Sequence, residues 1–179
     1  FNNYISRSSI CNINFKETIR AIYIDKNDIW LGTYNHGIII FNPLNNRIKW
    51  IKETSINSTK GIINNQIRAI LKDRYGYFWI GTKNGLTRYD PHTEKSIHFN
   101  RYSENKIPQN WVHAIMEDHN GELWIGTFNG IARYDRDNNK FIEIDYKKIM
   151  RSNHVSYLYE DSKFNIWVAT QGGGLTLLK

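Results

Sequence analysis

The chain is read as an all-β fold, and three observations support that reading. The first is a recurring signature: Trp30-Leu31-Gly32-Thr33, Trp79-Ile80-Gly81-Thr82, Trp124-Ile125-Gly126-Thr127 and Trp167-Val168-Ala169-Thr170 follow one another at steps of 49, 45 and 43 residues. Self-similarity at a period in the forties marks one small structural unit repeated along the chain. The second is the texture between the signatures, where short runs rich in Ile, Val, Trp, Tyr and Phe are punctuated by Gly, Asn and Asp. That alternation is the mark of strands joined by tight turns. The third is the lack of any window carrying a helical apolar stripe of adequate length; Tyr146 to Met150 offers one helical turn at most.

Each unit opens with a first strand ending in an acidic residue: Ile19 to Asp25, Ile67 to Asp73, Val112 to Asp118 and Val155 to Asp161. A turn follows, Arg74-Tyr75-Gly76-Tyr77 or His119-Asn120-Gly121-Glu122, with Ser162-Lys163-Phe164-Asn165 in the last unit and a shorter Lys26-Asn27-Asp28 in the first. Asp25, Asp73, Asp118 and Asp161 are expected to cap these turns, because an aspartate accepts backbone N–H bonds two residues on. The second strand carries Trp30, Trp79, Trp124 or Trp167. Its indole is expected to be largely buried between units, where removing roughly 150–250 Å² from water is worth about 4–6 kcal/mol before entropy. The Gly-Thr that follows predicts close backbone packing and a hydroxyl–backbone hydrogen bond at the strand end. The next turn, Lys83-Asn84-Gly85 or Phe128-Asn129-Gly130, supplies the positive φ of a hairpin. A third strand (Leu86 to Asp90, Ile131 to Asp135) and a fourth (Ile97 to Tyr102, Phe141 to Asp145) complete the unit.

Four short antiparallel strands in about 45 residues are the size of a propeller blade, and neighbouring blades must stack to cover the tryptophan face. The expected organisation is one domain over 1–179: an outer strand and entry loop over 1–18, and repeats over 19–66, 67–111, 112–154 and an incomplete 155–179. Phe1-Asn2-Asn3-Tyr4 copies the exits of the fourth strands, so it is expected to act as an outer strand. The start at Phe1 points to an excised or processed segment. The assembly is either a small closed ring, with that strand completing the last blade, or an arc of a larger propeller.

Charge and motif content narrow the function. Lys and Arg number 24 against 17 Asp and Glu, a net charge of +7. The basic residues are spread over every unit, clustering only at Lys147-Lys148 and Arg151, which argues against nucleic acid and suits anionic ligands. Cys11 is alone, so no intrachain disulfide is possible. The longest apolar run, Gly37 to Phe41, is too short to span a bilayer, and direct membrane contact is not expected. His36, His92, His98, His113, His119 and His154 show no zinc spacing, and no nucleophile elbow, phosphate loop or EF-hand appears; neither metal nor cofactor nor catalytic residue is predicted. Gly172-Gly173-Gly174 falls at a hairpin position.

In a blade, the turns after Gly-Thr and the long connections (Glu53 to Gln66, Ser103 to Trp111, Asp145 to His154) share one face. Candidate ligand-binding residues there are Tyr34, His36, Lys83, Asn84, Trp111, Phe128, Asn129 and Gln171. Tyr34, His36, Lys83 and Phe128 differ between copies, so turn geometry does not demand them; Asn84 and Asn129 can equally serve the turn alone. Aromatic and amide side chains around one mouth suit a sugar-like, peptide or other polar ligand.

Two strings carry a family resemblance. Ile70-Leu71-Lys72-Asp73, Phe78-Trp79-Ile80-Gly81-Thr82 and Gly85-Leu86-Thr87-Arg88-Tyr89-Asp90-Pro91 resemble the two-component regulator propeller repeat. So do Glu117-Asp118-His119-Asn120-Gly121-Glu122-Leu123-Trp124-Ile125-Gly126-Thr127 and Gly130-Ile131-Ala132-Arg133-Tyr134-Asp135. The first unit departs by its short turn and the last by Ala169 and its Gly-rich turn. The resemblance implies a periplasmic or extracellular, non-catalytic sensor region of a bacterial signalling protein, ahead of a membrane helix and a kinase or cyclase module. It implies a small-molecule or oligosaccharide ligand, and self-association through edge strands or contact with further blades of a parent propeller. The competing reading is a propeller enzyme, since the Asp-x-x-Gly-x-x-Trp turns also resemble the Asp-box hairpins of sialidases and glycan hydrolases. A third is a purely structural interaction module.

Overall fold

A computed structural model describes residues 17–145 and 150–178. Expectations for Phe1 to Tyr4, Cys11, Lys147-Lys148 and the turn at Tyr146 fall outside those residues. Fifteen strands form four antiparallel meanders. The first blade holds β1 (Ile19–Asp25), β2 (Asp28–Thr33), β3 (Ile38–Asn42) and β4 (Arg47–Ile51). The second holds β5 (Ile67–Lys72), β6 (Phe78–Thr82), β7 (Gly85–Tyr89) and β8 (Ser96–Phe99). The third holds β9 (Val112–Glu117), β10 (Leu123–Thr127), β11 (Gly130–Asp135) and β12 (Lys140–Glu143), and the last β13 (Val155–Glu160), β14 (Ile166–Thr170) and β15 (Gly174–Leu178). Strand β5 packs between β1 and β9, and β9 between β5 and β13, so the first strands line the inner edge.

The signature residues explain the seams. Trp30 stacks on Phe78 of the next blade at 3.7 Å and 14°. Trp79 is enclosed by Phe99, Tyr134 and Phe141. The following glycine lets the first strand of the next blade approach: a Cβ on Gly32 would sit 2.5 Å from Ile67, one on Gly81 3.0 Å from Val112, and one on Gly126 would collide with Val155. The last blade has Ala169 at that position. Thr33, Thr82, Thr127 and Thr170 donate their hydroxyls to the carbonyls of Gly37, Gly85, Gly130 and Gly174, as the sequence leads one to expect.

The acidic residue ending the first strand does more than cap. Asp73 accepts the amides of Tyr75 and Tyr77 at 3.0 and 2.9 Å through Oδ1, while Oδ2 accepts the Trp79 indole N–H at 2.8 Å. Asp118 and Asp161 repeat the arrangement with Trp124 and Trp167 at 2.9 and 2.8 Å. The Trp167 indole, with the Asn165 amides, holds Asp161 far below the usual carboxylate range. The short first turn leaves Asp25 outside this scheme; it pairs with Lys72 of the next blade at 2.6 Å.

The four signature indoles are not buried equally. Trp30 and Trp79 are fully buried, whereas Trp124 and Trp167 are half-buried. The cause is cover. Trp79 lies under Tyr134 and Phe141, but the last blade offers Trp124 only Leu178 at the tyrosine position and no fourth strand among the described residues. Among the described residues no further blade covers Trp167. Ile22 and Ile24 on the outer face of the first blade are 64% and 67% exposed, and Tyr157, Tyr159 and Leu175 on the far face of the last are 64%, 56% and 63% exposed. The described residues therefore form an arc and not a closed ring.

Candidate functional site: an aromatic and cationic mouth

The turns after Gly-Thr are fastened to the residue preceding each first strand. The amides of Tyr34, Lys83, Phe128 and Gln171 donate to the carbonyls of Thr18, Gln66, Trp111 and His154 at 2.9, 3.1, 2.9 and 2.9 Å. Two rows of side chains are thereby set side by side on one face. A third row comes from a β-bulge repeated in every blade. The pairing of the first two strands jumps from Ile19 to Ala21, from Ile67 to Ala69 and from Val155 to Tyr157, and Gly126 and Thr127 face Ala114 and Val112. Arg20, Arg68, His113 and Ser156 are skipped by the ladder at equivalent positions. A bulge re-aims the side chain it releases and is over-represented beside functional sites.

The three rows meet in a continuous ladder. The Arg20 and Arg68 guanidiniums lie 5.3 and 5.5 Å from the Tyr34 ring. Arg68 is also 5.3 Å from Trp111, which the Lys83 ammonium approaches to 5.7 Å. Trp111 stacks on Phe128 at 5.3 Å and 6°, and on His113 at 5.1 Å. His154 closes the series 4.4 Å from Phe128 and 4.9 Å from His113. Each cation–π contact is worth about 0.5–2 kcal/mol according to its exposure.

The electrostatics are one-sided. Among the described residues no carboxylate pairs with Arg20, Arg68 or Lys83; Glu17, the acidic residue beside the first blade, pairs with His36 at 2.7 Å. Burial, and then the neighbouring Arg20, hold Arg68 below its ordinary pKa. Burial, then His154 and Arg68, lower His113 to about 4, so it is a neutral imidazole at pH 7. Gln66 Oε1, Arg68 Nε, Trp111 Nε1 and His113 Nε2 are buried without hydrogen-bond partners. Buried polar atoms are ordinarily paired, so four such atoms in one ladder mark it as a place with unused bonding capacity.

Of the residues singled out in the sequence, Tyr34, Lys83, Trp111 and Phe128 come together here, and Gln171 holds the equivalent position in the last blade. His36 is turned away by Glu17. Asn84 and Asn129 accept from the side chains of Asn110 (3.2 Å) and Asn153, fastening each turn to the adjoining connection. Arg20, Gln66, Arg68, His113 and His154 escaped the sequence reading. The signal was present as variation: the second position of the first strand reads Arg, Arg, His, Ser between near-constant neighbours. One cleft lies away from the mouth, lined by Arg101, Lys106, Ile107, Pro108, Phe141 and Glu143. Flat faces, cations and donors equip the mouth for binding.

Comparison with known proteins agrees with this architecture. The two component regulator propeller family matches residues 15–35, 61–84 and 106–129. The extracellular domain of a protein described as a hybrid two component system from B. thetaiotaomicron superposes with a TM-score of 0.77 at 22% identity, covering 90% of this chain and 22% of its own. That of a one component system from the same organism gives 0.73 at 26%, covering 90% and 21%. The chain thus spans about a fifth of the length of those domains. Virginiamycin B lyase from Staphylococcus aureus shares the fold at a TM-score of 0.67 and 16% identity, covering 93% of this chain and 57% of the lyase. No curated protein matches the sequence. No helix among the described residues is long and apolar enough to cross a membrane. Three stretches of the chain thus carry the two component regulator propeller repeat.

Proposed function

We propose that this chain, which carries two component regulator propeller repeats, is the extracytoplasmic, non-catalytic ligand-binding part of a bacterial sensor. Its ligand is polar and sugar-like, and it binds at the mouth. The observation that carries the reading is the ladder from Arg20 to His154, which crosses all three blade seams on one face. Each seam is held by residues from two blades, so a ligand lying across the mouth would touch several blades and could bias how they sit on one another. The extracellular domains of the two B. thetaiotaomicron proteins support placing such a region outside the cytoplasm.

The fold shared with virginiamycin B lyase keeps an enzyme in view as the second reading. The mouth supports binding: among the described residues no carboxylate pairs with the cations of the ladder, and His113 is a neutral imidazole packed against Trp111 and His154. The test is a panel of oligosaccharides screened by calorimetry and by product analysis. Expected is binding that Trp111→Ala weakens by at least about tenfold, the loss of one stacked ring contact of about 1.5 kcal/mol, with no product formed. Turnover abolished by His113→Ala would replace the sensor with the enzyme.

A further inference from the structure

Three cations at the mouth have no counter-charge. Arg20 and Arg68 share the Tyr34 ring, and Arg68 and Lys83 share Trp111. No hydrogen bond or ion pair to a carboxylate neutralises any of them among the described residues. Like charges this close repel, and aromatic faces offset that only in part. A guanidinium with a free Nε–H presents a fork that suits a carboxylate or sulfate. Stacked on the same Trp111, Phe128 lies nearly parallel to it and 43% exposed, which leaves a flat aromatic face next to the cations.

Resting on the ligand-sensing reading above, we propose that the mouth recognises an oxyanion carried on a flat-faced ring, as in an acidic sugar: Arg68 and Lys83 take the carboxylate or sulfate, and Trp111 with Phe128 takes the ring. The separation of duties follows from position. Arg68 and Lys83 approach the Trp111 ring from different strands, β5 and the turn after β6, while Phe128 reaches it from the turn after β10. Single-stranded nucleic acid also combines rings with anions, but it wants a basic groove that follows a backbone over several nucleotides. Among the described members of the ladder the cations are Arg20, Arg68 and Lys83, and the ladder ends on the neutral contacts of Phe128 with His154.

The experiment titrates the chain by calorimetry and follows the indole resonance of Trp111. Five probes are used: trigalacturonate, a chondroitin 6-sulfate tetrasaccharide, uncharged galactotriose, sodium sulfate and an oligothymidylate. Expected is binding of one or both acidic sugars, at least about tenfold tighter than galactotriose and weakened by added salt. The carboxylate and sulfate arms tell which oxyanion is preferred. Arg68→Gln and Lys83→Gln each lower that affinity by about three- to tenfold, a larger loss than either causes for galactotriose. Galactotriose binding as tightly as trigalacturonate, insensitive to Arg68→Gln, overturns the inference while leaving the sensor reading intact. Sodium sulfate shifting the Trp111 resonance as strongly as the sugars removes the ring from the proposal. Tighter binding of the oligothymidylate overturns it in favour of nucleic acid, and silence from all five probes overturns it outright.

Discussion

The two faces of the arc treat charge in opposite ways. Opposite the mouth, charges are paired across the seams, Asp25 with Lys72 at 2.6 Å and Arg74 with Glu117 at 3.1 Å, and His119 Nδ1 lies 2.5 Å from Glu160. Arg136 adds a cross-link, reaching Asp73 at 3.1 Å and Glu117 at 3.3 Å. The first strands supply these residues from one end and Arg20, Arg68 and His113 from the other. The same strands thus join blades at one face and present unpaired cations at the other. Holding blades together and meeting a ligand are carried by opposite ends of one element, so each can be altered without the other.

That contrast can be broken most strongly at Asp73. It is 4% exposed and serves two backbone amides, the Trp79 indole and Arg136. Replacing it with Ala strands all four donors, and a loss of about 3–5 kcal/mol in guanidinium denaturation is expected. The same change at Asp161, at the open end, should cost less. Equal losses would show that the seam adds nothing to the aspartate's role.

Smaller is the effect of crowding a seam. Gly126→Ala drives a methyl into Val155, at an expected cost of about 1–3 kcal/mol. Ala169, at the equivalent position, faces no following blade. Ala169→Gly should therefore change stability by no more than about 1 kcal/mol, the usual cost of a strand glycine. A neutral Gly126→Ala would refute the close approach.

The smallest effect lies at the mouth. His113 has its pKa lowered from 6.5 to about 4, so its neutral form is the one the fold favours. Its contribution is present above 6.5, declines as the pH falls below that value, and is gone below about 4. Wild type should therefore lose more stability than His113→Gln between those limits, as read from denaturation midpoints at each pH. Parallel curves would mean that burial of the imidazole costs nothing.

Much of this was legible in the sequence because it repeats. Trp79 and Thr82 recur four times and Gly81 and Asp73 keep one meaning in three blades, and the seams, hairpins and caps follow from them. The indole–aspartate bond was not read, since two positions six apart meet only once the hairpin closes. The bulge was hidden for a different reason. Strict alternation along Ile19 to Asp25 puts Arg20 on the side of Ile22 and Ile24, and only the slip in register sets it apart. Burial of Trp124 depended on cover supplied by another blade, which its own repeat cannot record. At the mouth, Tyr34, Lys83 and Phe128 were visible because they vary where turn chemistry does not ask for them.

The bulge at the start of each first strand also bears on how such a surface changes over time. The skipped residue has no partner in the strand pairing, and four blades fill it with Arg, Arg, His and Ser. Each blade therefore keeps one site where a single codon change alters what the mouth presents while the scaffold beneath is untouched. A lineage carrying this repeat can drift from one ligand chemistry to another blade by blade, without passing through an unfolded intermediate.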